Sequence, residues 1–247
     1  MSKHVHNTHT LNLRDLGLSH DQQVARHREQ AQTVVAAALA SGSFGTEDAA
    51  NLFNAYLDEC HQRSDAQLAK RKQPLACGAG CAHCCTLYLE ITFDEALNLR
   101  KHLAQLPLRQ KSIIRARNLL NAIRIEAGKA QDSPKNYHRL ELSCMFLTES
   151  ATCAIHPIRP LACRHHHSFN VQQCKTRDSA VQNKERLAAG YGVLHAKEDL
   201  LKPRCEAHPE FTRWKGELHT MLRRLMAEPQ APEPPVPDEE TCDEAVS

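Results

Sequence analysis

The chain has 247 residues, with 31 Ala and 29 Leu against 16 Val plus Ile, 9 Gly and 11 aromatics, and its 31 basic and 29 acidic residues leave a net charge of +2. Ala and Leu lose little freedom in a helix, whereas a sheet needs β-branched and aromatic side chains. A β-sandwich, a barrel or a doubly wound α/β fold is therefore disfavoured, and the chain is expected to be mainly α.

In chain order, Ser19 can cap a first helix with Val24, Ala31, Val35 and Ala38 on its apolar side, stopped by Ser41-Gly42. A second helix follows Thr46, with Ala49, Leu52, Phe53, Tyr56, Leu57 and Cys60 on one face and a basic end at Lys70-Arg71-Lys72. The pair reads as a helical hairpin within an N-terminal unit of residues 1–74, with Cys60 as a small buried hydrophobe. Thr86 to Thr92 alternates in the manner of a short strand, and Thr92-Phe93-Asp94-Glu95 is a capping box for a helix with Phe93, Ala96, Leu99, Leu103 and Leu106 inward. Pro107 can open the next helix, for which Ile113, Ala116, Leu120, Ile123 and Ala127 form the expected buried stripe. His138 to Leu142 is expected as a second short strand. Helices are expected near residues 178–201 and 209–227, the latter with Phe211, Trp214, Leu218, Met221 and Leu225 in register.

Residues 229–247 carry five prolines, six acids and no Lys or Arg, the composition of a disordered acidic tail. Without that tail, 31 bases stand against 23 acids, a net of +8. No basic run is interleaved with aromatics, so a solvated basic surface is favoured over a nucleic-acid interface. The longest apolar run, Val34 to Ala40, is seven residues, short of the ~20 that span a bilayer. Met1 to Leu13 is polar without an apolar stretch, so the expected compartment is the cytosol.

Eight of the 11 cysteines fall within 98 residues: Cys77, Cys81, Cys84, Cys85, Cys144, Cys153, Cys163 and Cys174. In a reducing compartment such a cluster points to metal or redox chemistry rather than to disulfides. The first group, Cys77-x3-Cys81-x2-Cys84-Cys85, can turn its sulfurs to one centre, and Gly78 and Gly80 let the backbone curl around them. The second group has gaps too long for a single metal knuckle but suited to a loop folded onto the first. From Cys144 to Cys174 no hydrophobic period persists, so the cysteines themselves must order the segment. Eight thiolates would fill two tetrahedral zinc sites. Adjacent Cys84 and Cys85 tend to point apart, which favours a polynuclear cluster or two centres sharing the pair. Zinc and iron, including a [4Fe–4S] cluster, both suit thiolates. Arg159 and Arg164 flank Cys163 and are the expected cations offsetting the thiolate charge. His83, His156, His165, His166 and His167 lie beside cysteines; each is expected at the solvated surface before the metal, with His83 evenly placed between the two.

Taken together, the first group, Cys144-Met145-Phe146-Leu147, Cys153-Ala154-Ile155-His156-x2-Arg159-Pro160-x2-Cys163-Arg164 and Ser168-Phe169-x4-Cys174 resemble the bacterial YkgJ-type cysteine-cluster family over residues 75–175. The resemblance implies a zinc- or iron-chelating domain with eight characteristic cysteines. His156 replaces a common aromatic, and His165 to His167 make this copy unusually His-rich. Flagellin lysine methylases resemble the same cysteine pattern. The leading expectation is thus a cytosolic cysteine-cluster metal protein. It has a cysteine domain over residues 75–228, built of helices with irregular Cys-rich loops and two short strands around the centre. An iron–sulfur metalloenzyme of redox or methyl-transfer type, or a zinc-stabilised interaction module, are the alternatives. Cys77-x3-Cys81-x2-Cys84 has the spacing of radical S-adenosylmethionine enzymes, but helices precede it where those enzymes have a strand, and Cys85 could close the open iron position. No G-x-S-x-G, H-E-x-x-H or P-loop is present.

Overall fold

The computed structural model describes residues 17–40, 46–70, 72, 75–78, 80–176 and 183–227. The acidic tail with Cys242, the Ser41-Gly42 stop and residues 178–182 of an expected helix lie outside them. The structure is mainly helical, with two short antiparallel strands, and no helix among the described residues is long and apolar enough to cross a membrane.

Helix α1 (His20–Ala40) opens on Ser19, whose Oγ accepts from the Gln22 N–H at 3.3 Å while Gln22 Oε1 accepts from the Ser19 N–H at 2.8 Å. This reciprocal cap satisfies two donors that a helix start leaves unpaired. Ala31 and Val35 turn inward as expected, with His27 and Leu39 where Val24 and Ala38 were expected. Helix α2 (Thr46–Lys70) buries Ala49, Phe53, Tyr56, Leu57 and Cys60, so Cys60 packs as a hydrophobe. Both helices lie against α8 (Lys184–Leu200), which starts at Asn183, whose side chain accepts from the Glu185 and Arg186 N–H groups. The α1–α8 approach is possible because position 192 is glycine: a Cβ there would lie 2.5 Å from His27 Cβ and 2.8 Å from the Arg28 nitrogen. At Gly190 a Cβ would lie 1.1 Å from His165 Nε2, so this glycine is the notch that receives the His165 ring.

Strand β1 (Glu90–Thr92) falls within the expected Thr86–Thr92 segment, but its partner does not lie at 138–142. That segment instead ends α5 (Pro134–Arg139), where Ser133 Oγ accepts from the Asn136 N–H at 3.3 Å and Pro134 takes a first-turn position. β1 pairs with β2 (Lys215–Glu217), with Ile91 opposite Gly216. The expected 209–227 helix therefore begins only at α10 (Leu218–Ala227), where the Glu217 carboxylate accepts from the His219 and Thr220 N–H groups at 3.1 and 2.8 Å. Phe211 and Trp214 precede it in a loop, where Phe211 packs edge-on to Phe93 and the Trp214 carbonyl accepts from the Phe93 N–H at 2.8 Å.

Helix α3 (Phe93–Gln105) carries the expected capping box and buries Phe93, Ala96, Leu99 and Leu103. Pro107 precedes α4 (Leu108–Ala127) as its cap rather than its first residue. The expected inward stripe of α4 is a correction: Ile113, Ala116, Leu120, Ile123 and Ala127 are exposed, and Ile114, Asn118, Ala122 and Ile125 are buried. Polar anchoring sets the rotation. Arg117, Asn121 and Arg124 donate to the carbonyls of Leu147, Ser143 and Leu140 at 2.6, 2.8 and 2.8 Å, and α10 covers the face between them and the core. Short helices α6 (Leu161–His165), α7 (Val171–Thr176) and α9 (Lys202–Glu206) complete the chain, with Cys205 of α9 buried in the core.

Gly192→Ala should lower stability by about 1–3 kcal/mol, because the new methyl overpacks the α1–α8 contact; a thermal melt unchanged by this substitution would contradict the packing. Two buried histidines set an acid limit. Burial, and after it Arg63, lowers His27 to about 4, and burial with Arg186 lowers His61 to about 2. Both folded values lie below the ordinary 6.5, so folding favours the neutral ring. That contribution is full above pH 6.5 and falls as the solution is acidified towards the folded values, by about 2 kcal/mol per histidine at pH 5. Urea midpoints at pH 7 and 5 should therefore converge in the His27→Gln/His61→Gln variant relative to the parent; equal slopes would contradict it.

Candidate metal centre

The cysteine segments are held together by backbone bonds before any metal is considered. The Cys144 N–H donates to the Cys85 carbonyl at 2.7 Å, and the Ala76 N–H donates to the Ser168 carbonyl at 2.8 Å. The first cysteine loop is thus fastened to both ends of the second segment. Between those ends, a bridge pairs Leu147 with Cys153, and the Ala154 N–H donates to the Phe146 carbonyl at 2.9 Å, making a tight hairpin that carries Cys144 and Cys153 on its two arms. Gly80, with φ +84°, supplies the left-handed turn before Cys81. A 3₁₀ turn over His83–Thr86 follows and contains both Cys84 and Cys85.

Seven of the eight expected cysteines, Cys77, Cys81, Cys84, Cys85, Cys144, Cys153 and Cys163, line one cleft of about 690 Å³. Cys174, on α7, is not among its walls, but it stands near enough to Cys77 to add to the upward pull on that thiol. The adjacent pair does not point apart. Cys84 and Cys85 both line the cleft, and Cys85 acts on the Cys84 thiol, because the 3₁₀ turn brings the two side chains to one side.

Five of these thiols are shifted towards the neutral form. The Cys85 contact and burial raise Cys84, burial pushes Cys144 up to about 12, and burial raises Cys77, Cys153 and, well above the ordinary value, Cys163. Opposing this, backbone N–H groups reach the sulfurs. Ser168 donates to Cys77 Sγ at 3.2 Å, and Phe146 and Ile155 bond to Cys144 and Cys153 two residues behind them. Such bonds stabilise the thiolate form, the one a metal takes. A divalent cation would supply the remaining stabilisation and release the protons.

The donor set fits zinc or iron: soft sulfurs, backbone donors to them and a cation nearby. The side chains are more open than a closed coordination sphere. Among the described residues, no three His, Cys, Asp or Glu groups are gathered tightly enough to hold an ion as they stand.

The two expected counter-cations have different surroundings. Both line the cleft; the charge of Arg159 works to lower the thiols of Cys84, Cys153 and Cys163, and its Nε is buried without a hydrogen-bond partner among the described residues. Arg164, 2% exposed, is bound to Asp58 of α2 and to the carbonyls of Pro157 and Arg159 at 2.6 and 2.8 Å. Its guanidinium is engaged in holding the loop to α2. The histidines also differ from expectation. His165 and His167 are not solvated: His165 fills the Gly190 notch, and His167 Nδ1 donates to the His165 carbonyl while Nε2 accepts from the Asn183 N–H at 2.7 Å. His156, His166 and His167 line the cleft, whereas His83 and His165 do not. Asp65 and Arg186 complete the wall as an ion pair at 2.6 Å, each 12 residues from the nearest clustered cysteine and carrying no local signal.

Residues 76–182 match the family model CxxCxxCC, described as "Putative zinc- or iron-chelating domain". No curated protein and no solved structure matches the chain. The matched region takes in all eight clustered cysteines together with Arg159 and Arg164, and leaves α1, α2 and α8 to α10 outside.

The different environments of the two arginines are separable by experiment. Arg159→Gln should weaken zinc retention against a competing chelator by roughly 10–100-fold with little change in melting temperature. Arg164→Gln should lower the melting temperature, because Asp58 and two carbonyls lose their donor. The reverse pattern would contradict the assignment.

Proposed function

We propose that this protein chelates zinc or iron through the thiolates of Cys77, Cys81, Cys84, Cys85, Cys144, Cys153 and Cys163, with Cys174 joining from α7 beside Cys77. The observation that carries the reading is that seven cysteines from four separate stretches of chain line one cleft. Seven thiolates exceed the four of a mononuclear tetrahedral site, so the centre holds more than one metal atom. Cys84 and Cys85, adjacent on one turn and both lining the cleft, are the ligands suited to sharing between metal atoms. Arg159 balances the excess negative charge that so many thiolates leave around divalent ions.

Protein purified without oxygen should retain zinc or iron at more than one atom per chain, and acid-labile sulfide separates an iron–sulfur cluster from zinc. Cys81→Ser and Cys84→Ser should each lose most of that metal, and Cys242→Ser should keep it. Folded Cys81→Ser and Cys84→Ser variants with full metal content would overturn the ligand set.

A further inference from the structure

Helix α4 presents to solvent the face that its sequence marks for burial. Leu108, Ile113, Leu119, Leu120 and Ile123, 45–78% exposed, are five of the six large hydrophobic side chains exposed among the described residues. Ile113, Ala116, Leu120, Ile123 and Ala127 recur at alternating spacings of three and four residues, opposite the inward row of Ile114, Asn118, Ala122 and Ile125. Two heptads with apolar a and d positions form the seam by which one helix takes another, and Ala116 and Ala127 leave holes for a partner's larger knobs. Contiguous apolar patches of this kind mark interaction surfaces.

Charge selects the occupant. Arg117 and Arg124 fall at the e positions beside the seam, and exposed Arg109 and Arg115 add to the same helix. The single acid of α4, Glu126, is bound to Arg223 at 2.9 Å. A second copy does not fit this pattern: antiparallel pairing sets the e arginines of the two copies against each other, and parallel pairing sets them against Ser112 and Leu119 of the other helix, with no ion pair in either. The chain's own residues 229–247 are acidic, but Val236 and Val246 are their only large apolar residues, too few to fill a seam of two heptads.

We propose that the exposed seam of α4 docks an acidic amphipathic helix of a partner protein. The docking does not depend on the chelation reading. Arg117, Asn121 and Arg124 of the same helix hold the carbonyls of Leu147, Ser143 and Leu140, so the docked helix lies one helix away from the segment that carries Cys144.

The test uses the full chain and two labelled synthetic helices of three heptads with Leu at a and d, one with Glu and one with Lys at e and g. Fluorescence anisotropy should show the Glu peptide binding at least tenfold tighter than the Lys peptide, with the difference shrinking as salt rises. The variant Leu120→Ser/Ile123→Ser changes only exposed side chains and should keep its circular dichroism while losing at least tenfold in affinity for the Glu peptide. Equal binding of the two peptides, or undiminished binding by the folded variant, would overturn the proposal. So would dimerisation in sedimentation abolished by the variant, co-sedimentation with phosphatidylglycerol vesicles in place of peptide binding, or peptide binding seen only after deletion of residues 228–247.

Discussion

The carboxylate of Glu95 joins the three parts of the fold on which the cysteine cleft depends. Its Oε2 accepts from the Thr92 N–H at 3.0 Å, capping α3 where β1 ends. Its Oε1 accepts from the Leu161 N–H at 2.8 Å, at the start of the helix that carries Cys163, and meets Lys197 Nζ of α8 at 2.9 Å. Lys197 also meets Asp94 at 2.9 Å and donates to Thr92 Oγ1 at 2.9 Å. All three ionisable groups are buried. Burial works to raise Glu95, but Lys197 and the Thr92 and Leu161 N–H groups outweigh it and hold the carboxyl below its ordinary value, whereas at Asp94 burial wins and the value is raised. Of the two carboxyls beside Lys197, Glu95 is thus the one whose ionised form its surroundings favour. Removing one member of such a set strands a buried charge at a cost of several kcal/mol, which makes the network a strict specification of how α3, α6 and α8 meet.

Above that junction the balance of forces changes. The segment from Cys144 to Cys174 has too little apolar periodicity to bury itself, and its order comes from backbone bonds, the Arg164–Asp58 pair and the His167–Asn183 contact. A cleft in which burial disfavours the charged forms of Cys77, Cys144, Cys153 and Cys163, and in which a backbone N–H meets Cys77 Sγ, is suited to a cation. In the proposed centre, binding energy and local folding energy are the same quantity. The proposed docking seam on α4 adjoins this region through the carbonyls of Leu140, Ser143 and Leu147.

The sequence makes legible those features whose causes are local. The capping box at Thr92 and Glu95 and the inward faces of α2 and α3 follow from residues only a few positions apart. β2 was illegible because Lys215-Gly216-Glu217 has no apolar alternation and becomes a strand only through pairing with β1. The helix at Pro134 had a local signal in Ser133-Pro134, which the alternation of His138 to Leu142 obscured. The burial of Lys197 and Arg186, the notch at Gly190 and the division of labour between Arg159 and Arg164 arise from contacts between residues far apart in the chain. In α4 the helical period of the apolar row holds, but the carbonyls of Leu140, Ser143 and Leu147 claim its polar side chains and turn that row outward.

The central claim is that cysteine sulfur, rather than histidine or carboxylate, holds the metal. X-ray absorption at the edge of the metal retained by anaerobically purified protein tests it most directly. For zinc, the account predicts a first shell dominated by sulfur at about 2.3 Å, with about four sulfurs per metal atom. A first shell made only of nitrogen or oxygen at about 2.0–2.1 Å would contradict it.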